Sequence, residues 1–494
     1  MNTLFQLVKK LFLIIMSLYL LSACTNTDMP RTSHSETISK GWKMQSSEKM
    51  NGVDEALISQ NSFDVTTWYS AIVPGTVMGA LQENKVIEDA TFGINMKKMD
   101  PTQFQKPWWY RSTFNLSAKD LDKNVSLYFN GISYRADLWV NGKKVAGSDT
   151  FAGTFRMFSF NINSFIQEGE NTLALKISQY ADGEYLLGFC DWNPLPTDRS
   201  MGIFREVFLE VNDGIKIRSP FVYSKVDEVS KSAADLFIQA EIVNSTDKPV
   251  EGILRVDYEV GTVEKKVIVN ANETLSFRFT PEEFAQLSVK DVKLWWPNGM
   301  GEANMYNLKT EFIAGNKVLD RVEKRYGIRE IRSYLNEDKN RVFEINGKFV
   351  MPKGGGWADD IFLRDSHKSV EAQMAYIQHM GLNSIRSEGF WGKDENLYDL
   401  CDEYGILVMI GWNCIWEWEE YLLKPCHEKY GGAVTPEDIK LLADSWKDQM
   451  LWLRNHPSIY IWMLGSDKLP HPDLEMKYID LFKVIKEEFI CAPQ

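Results

Sequence analysis

The sequence predicts a multidomain chain of β plus α/β class: a jelly-roll β-sandwich, a smaller immunoglobulin-like β-sandwich, and then a region of parallel strands with crossover helices. Three observations carry this. Short alternating strands separated by turn residues fill positions 41–212. Alternating strands of more even spacing fill 213–332. From 333 to 494 the pattern changes to strand, helix, strand, helix, which is the signature of a parallel sheet with crossover helices. A chain of 494 residues, 44% of them hydrophobic, has material for about three cores at roughly 150 residues each.

The chain starts with "MNTLFQLVKKLFLIIMSLYLLSAC", in which Lys9 and Lys10 precede an apolar run from Leu11 to Leu21. That run is too short for an ordinary spanning helix and reads as a secretion signal over residues 1–23. Its ending resembles the lipobox of bacterial lipoproteins, which implies cleavage before Cys24 and lipidation of that thiol. Residues 24–40 are polar and unpatterned and are expected to form a flexible tether. The resemblance places the mature body in a bacterial cell envelope, touching the membrane only through the lipid on Cys24.

In the first sandwich the strands are "KNVSLYFNGI", "RADLWVNGKKVAG", "FRMFSFNI", "NTLALKIS" and "REVFLEV". The pairs Asn130-Gly131 and Asn141-Gly142 predict tight hairpin turns, since both residue types tolerate positive φ. The second sandwich reads from "DLFIQAEIVNST", "GILRVDYEV", "TVEKKVIVNA" and "ETLSFRFT"; the aromatic excursion at Trp295 to Pro297 is assigned to packing between domains. The barrel strands are "FVMPKGGG", "LNSIRSEG", "ILVMIGWN" and "IYIWMLGSD". The helices between them are "SVEAQMAYIQHMG", "DENLYDLCDEYG" and "PEDIKLLADSWKDQMLWLRNHP", and a fourth, "PDLEMKYIDLFKVIKEEF", follows.

Several function classes are excluded. A net charge of −13 without any Lys/Arg-rich block argues against a nucleic-acid partner. The six cysteines, Cys24, Cys190, Cys401, Cys414, Cys426 and Cys491, show no short paired spacing. The six histidines form no His-Glu-x-x-His string, and "PKGGGWADD" lacks the Lys-Ser/Thr ending of a phosphate loop. No metal or organic cofactor is expected.

The order of domains, together with "VPGTV", "PWWYRSTF", "DWNPLPTDRSMGIFREV", "YGIRE", "NGKFVMPKGGGW", "GLNSIRSEGFW" and "NHPSIYIWMLGSD", resembles glycoside hydrolase family 2. The third region then corresponds to the front half of a (β/α)8 TIM barrel. The Gly-Ser-Asp ending of the fourth strand resembles the exo-β-D-glucosaminidase branch, where β-galactosidases and β-mannosidases carry Asn-Glu. The resemblance implies that Asp467 is the general acid/base and that Glu388 in "RSEG" meets the substrate amine. It implies that Asp191 and Trp192 reach the first sugar subsite. Among Trp412, Trp416 and Trp418 after strand three, Trp416 is taken as a sugar-stacking face and, with Trp462 and neighbouring carboxylates, as the burial that would raise the Asp467 pKa.

The implied partner is a β-linked, glucosamine-containing oligosaccharide. Two other readings stay open: a β-mannosidase or endo-β-mannosidase of the same family, and a non-catalytic carbohydrate-binding lipoprotein. Family members place the nucleophilic glutamate beyond the fourth strand, and the acids after Asp467 lie on the last helix. The sequence is therefore expected to be the front part of a longer enzyme, without turnover as it stands and with open strand edges.

Overall fold

The structure, a computed structural model, describes residues 29–188, 193–389, 391–477 and 479–480. The expected signal segment, Cys24, and the last helix beyond residue 480 lie outside the described residues.

The first domain is a sandwich of two antiparallel sheets. In the six-stranded sheet Trp108–Leu116 and Arg135–Val140 flank Gly169–Ser178; in the four-stranded sheet Asn124–Phe129 lies between Val207–Asn212 and Phe158–Asn161. Strand alternation sends Val125, Leu127 and Phe129 inward from one sheet to meet Leu173, Leu175 and Ile177 from the other, all fully buried. At about 1.5–3 kcal/mol per buried large apolar side chain, such rows fix the register, because a one-residue slip would turn each of them to solvent.

Of the two expected turns, one forms as read. Asn141 (φ 49°) and Gly142 (φ 81°) make the two-residue hairpin between Arg135–Val140 and Lys143–Ala146. Asn130-Gly131 instead carries the chain from one sheet to the other. Gly131 is needed there for close packing, since a Cβ would sit 2.6 Å from the Phe204 ring.

The tether expected over 24–40 is shorter than its polarity suggests. His34–Thr37 pairs antiparallel with Val207–Asn212, and the Ser33 hydroxyl donates to Asp320 Oδ1 at 2.8 Å. This strand is exposed along its whole length, so hydrophobic alternation gives no sign of it. The first domain therefore starts before residue 41.

The second domain packs Ile215–Val226, Ala233–Asn244, Glu273–Phe279 and Ser288–Lys290 against Thr262–Val269, Val250–Asp257, Tyr306–Ala314 and Lys317–Tyr326. Leu236, Ile238, Ile242, Leu254 and Phe312 fill the space between. Trp295 is fully buried where this domain meets the barrel, and its indole N–H donates to the Asp402 carbonyl at 2.8 Å.

The string "FVMPKGGG" is two strands rather than one. Lys348–Val350 closes a three-stranded antiparallel sheet with Arg341–Ile345 and Ile331–Leu335, whereas Gly354–Trp357 opens the barrel. Pro352, which has no N–H to donate, falls between them. Four parallel strands then follow in chain order: Gly354–Trp357, Ser384–Ser387, Leu407–Ile410 and Ile459–Trp462.

The helices between them, His367–His379, Asn396–Tyr404 and Pro436–Leu453, have the ends the sequence requires. Ser366 caps the first, Gly405 in the left-handed region (φ 67°) ends the second, and a Thr435/Asp438 capping box with Pro436 begins the third. Residues 472–477 begin a further helix.

Gly354 fixes the spacing of the first two barrel strands: a Cβ there would stand 1.6 Å from the Ser384 carbonyl oxygen, whereas Gly355 next to it faces open space. Gly354→Ala is expected to destabilise the barrel region by about 2 kcal/mol or more, and Gly355→Ala by less than about 0.5 kcal/mol. Urea melts of the two variants, read through tryptophan fluorescence, test the contrast; equal shifts would refute it.

Candidate functional site

Parallel strands put their carboxyl ends on one side of the sheet, and the candidate site grows from three of those ends. Glu388 follows directly on Ser384–Ser387. The stretch Gly411 to Trp418 leaves Leu407–Ile410, and Met463 to Lys468 leaves Ile459–Trp462. The approach of the second and third strand ends depends on Gly411, where a Cβ would lie 2.4 Å from the Ser387 carbonyl oxygen. The third and fourth are tied by the Met463 N–H, which donates to the Ile410 carbonyl at 2.9 Å.

Ser466 links the two carboxylates read from the sequence. Its hydroxyl lies 3.0 Å from Glu388 Oε1 and 3.3 Å from Asp467 Oδ1, and it accepts from Arg386 Nη2 at 3.0 Å. A hydroxyl has one proton, so it can donate to only one of the two acids, and the shorter contact is with Glu388. Arg386 also stands 3.5 Å from Glu388, so a cation already faces this carboxylate.

Asp467 is held from the loop after strand three. The Trp418 indole N–H donates to Asp467 Oδ2 at 2.9 Å, and the Lys468 ammonium lies 4.2 Å from the centre of the Trp418 ring. Glu417, the residue before that tryptophan, fixes the backbone. Its Oε1 accepts from the Ser466 N–H at 2.9 Å, and its Oε2 accepts from the N–H groups of Asp467 at 2.6 Å and Lys468 at 2.9 Å.

Glu417 is 4% exposed. Burial, with a smaller contribution from the Asp467 charge, pushes its carboxyl above the ordinary range in spite of the three N–H donors. Gly431 (φ 67°) makes room for it, since a Cβ there would come within 2.8 Å of the Glu417 Cα.

Two expectations are corrected. Trp416 does not present a face to a ligand: it is 2% exposed, its indole N–H donates to the Leu186 carbonyl at 2.9 Å, and its ring packs against Phe155, Tyr185, Trp391 and Trp412. Nor is Asp467 enclosed by Trp416 and Trp462. It is exposed, while Trp462 packs on Trp446. Trp412 is buried too, which leaves Trp418 as the member of the trio that reaches the acid.

Asp191 and Trp192 lie outside the described residues. Glu417 and Ser466 were not singled out from the sequence. The signal for them was present in "WEWEE" and "GSD", where an acid sits within a tryptophan-rich loop and a hydroxyl precedes the aspartate.

Three segments of the chain match descriptions of one family: "Glycosyl hydrolase 2 galactose-binding domain-like" over residues 42–187, "Glycosyl hydrolases family 2" over 215–329, and "Glycosyl hydrolases family 2, TIM barrel domain" over 337–487. The exo-β-D-glucosaminidase of Streptomyces avermitilis is 32% identical over 458 residues, covering 92% of this chain and 50% of the relative. That of Amycolatopsis orientalis is 30% identical, covering 90% and 42%. The mannosylglycoprotein endo-β-mannosidase of Lilium longiflorum is 27% identical, covering 89% and 49%.

Among solved structures, the exo-chitosanase of Amycolatopsis orientalis in complex with PNP-β-D-glucosamine superposes with a TM-score of 0.84 at 28% identity, over 93% of this chain and 52% of that one. The chain thus spans about half the length of the curated relatives it matches. With two sandwiches and the opening strands of a parallel barrel in that family's order, and with matches to it along most of its length, the chain belongs to glycosyl hydrolase family 2.

Proposed function

We propose that this chain supplies the acid/base and amine-recognition part of a retaining exo-β-D-glucosaminidase, acting on β-linked glucosamine oligomers of the chitosan type. The observation that carries the reading is the Glu388–Ser466–Asp467 constellation, two carboxylates from different strand ends sharing one hydroxyl. The relatives named for glucosaminidase activity and the Gly-Ser-Asp ending support the same choice over a mannosidase.

In a retaining glycosidase one carboxyl protonates the leaving oxygen and another, about 5–5.5 Å away, attacks the anomeric carbon. Asp467 is suited to the first role. Trp418 holds Oδ2, and among the described residues Oδ1 has only the longer contact to Ser466, so that side of the carboxyl is left for a glycosidic oxygen. Glu417 is unsuited to the attack, because three N–H donors occupy its two oxygens. Its part is to hold the Asp467 backbone. Family resemblance assigns the nucleophile to a later barrel strand.

Glu388 is suited to an ammonium. It lies in reach of Arg386 and the Ser466 hydroxyl, so a protonated sugar amine would enter a place already organised for positive charge. Asp191 and Trp192 belong to this reading as contacts to the same sugar. Cys24 belongs to it as the lipid anchor, which the lipobox-like "LSAC" supports.

Three outcomes test the proposal. In calorimetric titration, the free-amine glucosamine dimer should bind below neutral pH, and Glu388→Gln should weaken it about tenfold or more, as expected for a lost charge-assisted contact of about 1.5–3 kcal/mol. Equal binding of mannobiose, or an unaffected Glu388→Gln variant, would sink the amine assignment. Glu417→Gln should speed hydrogen exchange at the Ser466, Asp467 and Lys468 amides by about tenfold or more, while the amides of Leu407–Ile410 stay as they were; unchanged exchange at those three positions would remove the clamp. Labelled palmitate should enter the protein in a bacterial host and be lost in Cys24→Ser, and incorporation into that variant would refute the anchor.

A further inference from the structure

We propose that Glu395, Asp399 and His456 form a binding site for a zinc-type divalent cation at the seam between the immunoglobulin-like domain and the barrel, away from the carbohydrate site. Glu395 is the residue before the helix Asn396–Tyr404, and Asp399 stands one turn further along the same face. His456 comes from the segment that leads from Pro436–Leu453 into the fourth barrel strand. One ring nitrogen and one oxygen from each carboxylate all lie within 4.8 Å of one another.

The histidine provides an observation independent of the acids. His456 is 7% exposed, and its Nδ1 is 2.7 Å from Asp402 Oδ2. Such a carboxylate–imidazole pair orients the ring and keeps a proton on Nδ1; burial disfavours the imidazolium, but Asp402, Glu395 and Asp399 outweigh it and raise the pKa, so a metal would take the place of the Nε2 proton among the same acids. Nε2 faces Glu395 Oε2 at 4.0 Å, beyond hydrogen-bond range, and has no hydrogen-bond partner among the described residues. One ring nitrogen of this side chain lies within 4.8 Å of an oxygen of each carboxylate.

Acids outnumber cations in the cavity: Asp257, Glu259, Glu323, Glu395 and Asp399 face Lys309, Lys324 and Arg325. Lys324 from the immunoglobulin-like domain takes Glu395 Oε1 at 2.8 Å, the Trp452 side chain also hydrogen-bonds this carboxylate, and Oε2 lies on the histidine side. The neighbouring Arg325 is paired with Glu403. The Asp399 carboxylate accepts no hydrogen bond among the described residues. A cavity of about 640 Å³, lined also by Lys324, Trp452 and Asn455, gives an ion access.

One imidazole and two carboxylates with a fourth position open is a donor set for zinc, whereas magnesium and calcium favour oxygen alone. Bonds of about 2.0–2.1 Å would bring the ligand atoms to roughly 3.3 Å apart, a closure of about 1.5 Å within reach of carboxylate rotamers. The ion would join the second barrel helix to the segment entering the fourth strand.

The test uses the full chain, stripped with EDTA, dialysed and titrated with zinc chloride, with magnesium chloride as control. The expected result is a zinc site of micromolar or tighter Kd and a rise of several degrees in Tm, with His456→Gln and Asp399→Asn each weakening the affinity at least tenfold. His367→Gln, on an exposed helix end, should change nothing. The same titration in wild type and Asp399→Asn would overturn the proposal, as would the lack of any tight event in the folded wild type. Asp399 is half-buried and carries no hydrogen bond to lose, so its variant decides the matter even if His456→Gln does not fold.

Discussion

A single buried carboxylate joins the two loops on which the site depends. Glu417 gathers three consecutive backbone N–H groups from Ser466 to Lys468, while the next residue, Trp418, donates to the Asp467 side chain. The loop after strand three thereby sets both the backbone and the side chain of the aspartate after strand four. Three N–H groups turned toward one buried acceptor would each be costly to leave unmet, so the turn carrying Asp467 has little freedom to take another shape. Burial of Glu417 itself is tolerated because those donors surround it.

That loop is in turn held by the first sandwich. Phe155 packs edge-on to Trp391 at 4.5 Å and lies 5.7 Å from Trp416, and the Trp416 indole reaches back to the Leu186 carbonyl. Arg205 strengthens the same seam. Its Nε donates to the Gly392 carbonyl and its Nη1 to Gln449 Oε1, and the guanidinium stacks 4.2 Å from the Trp452 ring. Burial drives its pKa down to about 9, a measure of how little water it meets. The loops after strands two and three are thus anchored on a domain that lies outside the barrel. Trp416 belongs to this anchor, which is why its indole is not available to a sugar.

How much of this was legible in the sequence varied with the physical origin of each feature. Domain order and the parallel strands could be read because apolar periodicity reports burial directly, as in Ile459–Trp462 ending at Gly-Ser-Asp. His34–Thr37 was hidden, since an edge strand exposed throughout has no apolar face to alternate. The first barrel strand was drawn too long because a run of glycines carries no periodicity of its own; only the pairing of Gly354 with Ser384 separates it from Lys348–Val350. Asp467 and Glu388 came from the resemblance carried by "GSD" and "RSEG", each at the end of an apolar strand run. Glu417 was not found, because its importance lies in backbone donors 49 to 51 positions away, and sequence has no local mark for an acceptor of distant amides.

The same geometry bears on how a charged sugar would be selected. Glu388 is not a bare anion waiting for an amine: Arg386 stands 3.5 Å away and the Ser466 hydroxyl 3.0 Å. An incoming ammonium therefore gains only the difference between its own contact and the partial neutralisation already present. A sugar with a neutral hydroxyl at that place would bring Glu388 no new cation and would have to be desolvated beside a carboxylate for a weaker bond. On the proposed reading, selection by charge would rest on discrimination between two cations, one tethered and one arriving. Because Ser466 also contacts Asp467, any shift of its single proton toward or away from Glu388 is felt at Asp467, and on the proposed reading recognition and proton delivery would be coupled through one hydroxyl.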